Sequence, residues 1–206
     1  MKRKLIIGIS GASGIVYGVK LLTLLKKLEI ETHLIVSKPA ERTLSYELNI
    51  TVKELKELAD VTYSISDLAA PISSGSFRTM GMIVAPCSIK SLSEIATGVT
   101  SNLLTRAADV VLKERKRLVL VVRETPLHAG HLKSMLAVTE IGGIIAPPVP
   151  AFYNRPISLD DIVNHTVGRI LDLFDIESGC VKRWGSLIEH NAAQLVPGHE
   201  NFCGGY

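Results

Sequence analysis

The segment that most limits what this chain can fold into lies at its start. Leu5 to Ile9 is a short apolar run that stops at Ser10-Gly11-Ala12-Ser13-Gly14. It shows no polar alternation, so it reads as a strand buried on both faces. Val16 to Leu28 follows with apolar residues at helical spacing. A buried strand, a small-residue turn and an amphipathic helix make the opening unit of an α/β sheet.

The same alternation continues along the chain. Thr32 to Val36, Met82 to Ala85, Leu118 to Val122 and Ile144 to Ala146 read as strands, with Pro86 and Pro147-Pro148 ending two of them. Helical stretches run from Ser37-Lys38-Pro39 to about Leu48, from Val52 to Leu58, from Ser88 to Thr97, from Leu103 to Glu114 and from His128 to Glu140. Another starts at Ser158, a good N-cap with Asp160 and Asp161 in its first turn, and runs to Phe174. Residues 60–79 are less regular, and Ser73-Ser74-Gly75-Ser76 reads as a loop. The pattern indicates an α/β fold with a mostly parallel sheet. At 206 residues, with 47% hydrophobic and 21% charged, the chain has material for one well-filled core and is not disordered. No repeat, low-complexity tract or linker divides it.

Composition also bounds the partners. The net charge of +3 comes from 23 Lys and Arg against 20 Asp and Glu, too balanced to argue for nucleic acid. The cysteines Cys87, Cys180 and Cys203 show no CxxC spacing, which fits a reducing compartment. The apolar N-terminal run is too short for a signal peptide or a membrane span. The expectation is a cytoplasmic protein with no membrane segment.

In a parallel sheet, ligands bind at the carboxyl ends of the strands. That rule selects loops 10–14, 37–39, 86–91, 123–127 and 147–155. In the first, Gly11, Ala12, Ser13 and Gly14 let a ligand approach the backbone, and the helix start offers N–H groups to a phosphate. No Gly-Lys-Ser/Thr follows, so it is not a P-loop. The spacing of Gly8, Gly11 and Gly14 also misses GxGxxG. Loop 86–91 adds Ser88, Ile89, Lys90 and Ser91, with Cys87 read as a small buried residue rather than a nucleophile. Arg123-Glu124 directly follows a buried strand, where a carboxylate could move protons beside a cation. His128 and His131 have i, i+3 spacing, but without further ligands no metal site is assigned. Arg169 sits inside a helix between apolar neighbours and calls for an anionic partner, a phosphate or a carboxylate. The only tryptophan, Trp184, could anchor a contact between protomers or cover a cation.

Taken together these motifs resemble the UbiX-like flavin prenyltransferases, which include the proteins that accompany bacterial phenolic acid decarboxylases. The resemblance is carried by Gly8-Ile9-Ser10-Gly11-Ala12-Ser13-Gly14, Ser73-Ser74-Gly75-Ser76-Phe77 and Ala85-Pro86-Cys87-Ser88-Ile89-Lys90. Leu104 to Arg115, Val122-Arg123-Glu124-Thr125-Pro126-Leu127, Pro147 to Tyr153 and Gly168-Arg169-Ile170-Leu171-Asp172 extend it over about residues 4–175.

The resemblance implies a Rossmann-like three-layer flavoprotein fold over residues 1–175, with the 176–206 tail packing at an interface between protomers of a dodecamer. It implies a transferase that joins the dimethylallyl group of dimethylallyl monophosphate to N5 and C6 of reduced FMN without a metal. The product, prenylated FMN, would serve a UbiD-type decarboxylase. By resemblance, FMN would be held by Gly11, Ala12, Ser13, Ser37, Ser88, Ile89, Lys90, Ser91 and Arg123. Tyr153, Arg169 and Lys113 would bind the prenyl phosphate, with Arg106 reaching across an interface. Glu124, Lys113, Glu47 and Trp184 would act in catalysis, Glu124 in proton transfer and Trp184 as a cover for the prenyl group.

Two other readings stay open on sequence. One is an FMN-dependent decarboxylase of cysteine-like substrates, disfavoured because the late loop reads Pro-Ala-Phe-Tyr-Asn where that group has Pro-Ala-Met-Asn. The other is a flavin-carrying accessory component of an aromatic acid decarboxylase. The Pro71 to Phe77 and Glu124 to His128 stretches look closest to the phenolic acid group.

Overall fold

The computed structural model describes residues 3–181 and 183. Six strands form one sheet: β1 (Lys4–Ile9), β2 (Glu31–Val36), β3 (Val61–Tyr63), β4 (Gly81–Cys87), β5 (Arg117–Val122) and β6 (Ile144–Ile145). Their order across the sheet is β3-β2-β1-β4-β5-β6, and every neighbouring pair is parallel. This is the doubly wound order whose direction reverses between β1 and β4. The helices are α1 (Ile15–Lys27), α2 (Lys38–Glu47), α3 (Val52–Glu57), α4 (Ile89–Thr97), α5 (Leu103–Lys113), α6 (Ala129–Glu140) and α7 (Leu159–Asp172).

The first strand shows why the sheet needs two helical layers. Leu5, Ile7 and Ile9 join a core with Leu21, Leu22 and Leu25 of α1 and Val167 and Leu171 of α7. Ile6 points the other way, into a second core with Met82, Val84, Leu104, Ala107 and Ala108. Alternate residues thus supply opposite faces, which is why no polar alternation appears in the sequence. Gly8 falls on the crowded second face, where an added Cβ would lie 3.0 Å from Met82 Cε.

Two expectations need correction. Pro86 does not end a strand, since β4 runs through it to Cys87 with a register shift between Val84 and Cys87. The shift absorbs the missing proline N–H, and the Pro86 carbonyl instead accepts from Ser10 N at 3.2 Å and Ser10 Oγ at 3.0 Å. The irregular 60–79 stretch contains β3, a three-residue edge strand too short to show a period.

Ser10 joins the loops on either side of the reversal. Besides donating to Pro86, its Oγ accepts from Ser88 N at 2.7 Å, and the residue is 1% exposed. A second tie comes from α2. Glu47 reaches the start of α1, where its carboxylate accepts from Gly14 N at 2.9 and 3.1 Å and from Ile15 N at 2.9 Å. Gly14 has φ +103° and offers no side-chain cap, so the carboxylate fills that role. Ser158 caps α7 as expected, with Asp161 completing a capping box, and Ser37 and Ser88 cap α2 and α4.

Two stability outcomes are expected. Ser10→Ala strips the clamp and should cost about 1–3 kcal/mol, because it leaves the part-buried Ser88 N–H without this acceptor and the Pro86 carbonyl with only the Ser10 backbone N–H. Glu47→Ala should cost about 1–2 kcal/mol through the lost helix cap, with Glu47→Gln retaining part of it. Thermal and denaturant unfolding of each variant measures both, and a wild-type midpoint would contradict the assigned role.

Candidate active site at the carboxyl edge of the sheet

The loops after β1, β2, β4 and β5 converge where the strand order reverses. Gly11 lies so close to α2 that an added Cβ would meet Pro39 Cβ at 2.3 Å. Beside these loops is a cavity of about 540 Å³ lined by Ser13, Gly14, Tyr17, Arg123, Pro148 and the first turn of α7. Ser13 and Arg123 are exposed, and the backbone of Arg123 is tied to β4 through its N–H on Cys87 O at 3.1 Å. Burial pushes the Tyr17 hydroxyl upward in pKa, so it stays a neutral phenol on the wall. The lining offers apolar and aromatic walls, a loop hydroxyl, one guanidinium and the Asp160 carboxylate, which is paired with Lys20 at 3.3 Å.

One expectation about phosphate binding is corrected here. The Gly14 and Ile15 N–H groups at the start of α1 are already taken by Glu47. Anion binding by those amides would require displacing a carboxylate. The serines are engaged too. Ser37 Oγ accepts from Ala40 N, and Ser88 Oγ accepts from Ser91 N and donates to Ser91 Oγ. Ile89 is half-buried, whereas Lys90 is exposed and pairs with Glu94 at 3.5 Å. Cys87 is fully buried, and desolvation raises its thiol to about 12, so no thiolate is available there.

A second cavity, of about 320 Å³, lies past the Pro147–Ala151 segment. Tyr153, His165 and Arg169 line it together with Pro147, Val149 and Ala151. The proline-rich segment therefore separates the two cavities, with Pro148 on one side and Pro147 and Val149 on the other. Arg169 meets a carboxylate on its own helix, Asp172 Oδ2 at 2.7 Å. Arg183 binds the same Asp172 at 3.1 and 3.2 Å and Glu177 at 2.8 Å. Two guanidinium groups thus face two carboxylates, with Asp172 shared between them.

One chain does not bring all the expected residues together. Arg106 pairs with Asp109 at 2.8 Å, and Lys113 pairs with its neighbour Glu114. Lys113 ends α5 just before β5 begins, so it stands at the amino edge of the sheet, opposite the loops of the first cavity. It lines a different cavity from Tyr153 and Arg169. Glu124 is exposed next to Arg123, and its carboxylate accepts from Thr125 N at 3.0 Å. Trp184 lies outside the described residues. His128 caps α6 and stacks on His131 at 3.6 Å between ring centroids. No group of three or more His, Cys, Asp or Glu that could hold a metal occurs among the described residues. Four residues were given no role from sequence: Tyr17 and His165, which line the cavities, and Asp172 and Asn154, which bond to Arg169 and His165. Only His165 carried a signal, its i, i+4 spacing from Arg169, which puts both on one helix face.

Comparison with known proteins identifies the family. A profile of the Flavoprotein family matches residues 1–184. Flavin prenyltransferase UbiX of Escherichia coli strain K12 is 60% identical over 175 residues, 84% of this chain and 93% of that protein. A crystal structure of AnUbiX (PadA1) in complex with FMN and dimethylallyl pyrophosphate superposes with a TM-score of 0.88. Its identity is 50%, over 89% of this chain and 98% of that one. A dodecameric FMN-dependent UbiX-like decarboxylase from Escherichia coli O157:H7 gives 0.86 at 50% identity, over 88% and 98%. The FMN-dependent cysteine decarboxylase TvaF shares the fold, with a TM-score of 0.59, at 17% identity over 72% of this chain and 91% of that one. With relatives this similar over most of its length, the chain belongs to the UbiX-like flavin prenyltransferases of the Flavoprotein family.

Proposed function

We propose that this protein transfers the dimethylallyl group of dimethylallyl monophosphate to reduced FMN, forming prenylated FMN for a UbiD-type aromatic acid decarboxylase. The observation that carries the reading is the pair of cavities on either side of the Pro147–Ala151 segment. One is lined by Tyr17, Pro148 and Arg123, and the other by Tyr153 and Arg169. Reduced FMN supplies the nucleophilic N5 and C6 positions. The recipient enzyme would act on phenolic acids, as the Pro71 to Phe77 and Glu124 to His128 stretches suggest.

Gly11, Ala12, Ser13, Ser37, Ser88, Ile89, Lys90, Ser91 and Arg123 would form the flavin cradle. The fit rests on the exposed Ser13 and Arg123 and on the wall of Tyr17 and Pro148. Lys90 would contribute through its backbone at the start of α4, since its side chain pairs outward with Glu94.

Breaking the allylic C–O bond leaves phosphate with the bonding electron pair. Tyr153 and Arg169 would take that charge, with Lys113 and Arg106 delivered by a neighbouring protomer. All three cations are held by local carboxylates at part-exposed sites, which are weak pairs and can be exchanged for a phosphate. Glu124, exposed beside Arg123, would move the proton released on ring closure. Trp184 would cover the prenyl group, and Glu47 would act near the flavin while holding α1.

The split between Lys113 and the Tyr153 cavity supports a homo-oligomer with sites at protomer contacts, a dodecamer as in the similar Escherichia coli O157:H7 structure. We take residues 1–175 as the flavoprotein domain and 176–206 as a tail at an interface between protomers. Cys87 and Cys180 are free thiols, which suits a reducing cytoplasm and a reduced flavin.

Anaerobic incubation with reduced FMN and dimethylallyl monophosphate should yield, by mass spectrometry, a flavin heavier by one C5 prenyl unit. Unmodified FMN from protein that binds both ligands would overturn the proposal. Arg169→Ala should lower kcat/KM for the prenyl phosphate by about 100-fold through loss of a charge-assisted contact. Glu124→Gln should keep flavin binding and lose product, whereas a flavin carrier would still support its decarboxylase.

A further inference from the structure

His165 is a buried histidine beside the proposed phosphate clamp that has no part in the chemistry above. It is 8% exposed, and its Nε2 lies 3.3 Å from the Tyr153 hydroxyl, with the two rings edge to face. Its Nδ1 lies 2.7 Å from Asn154 Nδ2, and Asn154 is also 8% exposed. The three side chains form a row: Asn154, His165, Tyr153.

The chemistry of the row fixes its direction. An amide nitrogen can only donate, so His165 Nδ1 accepts from Asn154. Burial lowers the pKa of the ring and the nearby Arg169 charge lowers it further, against a smaller pull from Asp172. The neutral ring then carries its proton on Nε2 and donates it to the Tyr153 oxygen. A phenol oxygen that accepts from His165 must send its own proton to a different acceptor. Turning the Asn154 amide over would reverse both bonds, and Tyr153 would offer an anion only lone pairs. Asn154 Oδ1 has no protein partner in the observed arrangement. Asn154 and His165 both line a polar cavity of about 210 Å³ with room for water beside them.

We propose that His165, held by Asn154 in the Nε2–H tautomer, is a positioning residue that turns the Tyr153 hydroxyl into a donor for the phosphate of the prenyl substrate. This rests on the reading of Tyr153 and Arg169 as the phosphate clamp. In this role His165 acts through Tyr153, setting which way its hydrogen bond points.

Two substitutions separate the halves of the ring. His165→Gln puts an amide near the Nε2 position and can still donate to Tyr153. His165→Asn reaches only the Nδ1 position and cannot. His165→Asn should weaken inorganic phosphate binding and raise KM for dimethylallyl monophosphate by about fivefold, the value of one hydrogen bond. Its kcat and FMN affinity should hold, and His165→Gln should restore most of the loss. In a Tyr153→Phe background, His165→Asn should add nothing, since the group it orients is gone. Should His165→Asn not fold, Asn154→Leu releases the tautomer without touching the ring and should show the same loss of phosphate affinity.

The inference is overturned if His165→Asn leaves phosphate affinity and KM unchanged while Tyr153→Phe impairs both. It is overturned equally if the two effects multiply independently, or if Gln and Asn at 165 are impaired alike with lowered melting points. If Tyr153→Phe itself leaves phosphate affinity at wild type, the clamp reading fails and takes this inference with it. That outcome is distinct from the others.

Discussion

Everything at the carboxyl edge depends on how β1 and β4 lie side by side while their connections leave in opposite directions. A reversal in a parallel sheet opens a crevice by geometry alone, and loops beside a crevice lack the packing that fixes strands. Here the buried Ser10 hydroxyl supplies that fixing. It donates to the β4 loop through Pro86 and accepts from it through Ser88. Pro86 matters in the same contact because a proline carbonyl inside a register shift is not consumed by the ladder. A strand interruption and a buried serine, ordinary apart, together set the spacing of the two loops that would cradle a flavin.

Much of the fold was legible because the strands are covered on both faces. Such strands read as unbroken apolar runs, and β1, β2, β4 and β5 each have at least four consecutive buried residues. Helix starts were equally readable, since Ser37, Ser88 and Ser158 carry their own caps. The failures share a cause. β3 has three residues and one partner, so its structure is set by β2 rather than by its own pattern. Pro86 broke a local rule that only the Ser10 contact explains. The cap on α1 comes from Glu47, which lies beyond the next strand, and no local pattern announces a cap from that distance.

The site was legible in a different sense. Gly11, Ser13, Arg123, Tyr153 and Arg169 could be placed on the correct loops or helix because the strand ends dictate where loops fall. What sequence could not convey was division. Pro147 to Ala151 separates the Arg123 cavity from the Tyr153 and Arg169 one, and α5 carries Lys113 to the amino edge of the sheet. Those distances follow from the fold, and they make a neighbouring protomer part of the proposed chemistry. Asn154 and His165 escaped notice because an asparagine in a loop and a histidine in a helix are ordinary until burial leaves their polar atoms dependent on each other.

The engagement of α1 by Glu47 bears on how such a protein could handle two phosphates of different fate. A helix start is a ready anion site, and on sequence alone α1 is the obvious one. With a carboxylate seated on Gly14 and Ile15, its positive end is offset, and a second anion there would meet a negative charge. In the proposed site, anion binding falls instead to side-chain cations held in weak, part-exposed pairs. A phosphate that must remain with a flavin suits a fixed cradle of loop backbone and hydroxyls. A phosphate that must leave suits exchangeable arginines and a lysine, which can accept its charge as the C–O bond breaks and then return to their carboxylates. The separation of the two kinds of site is the feature of this fold that most favours phosphate departure as part of its chemistry.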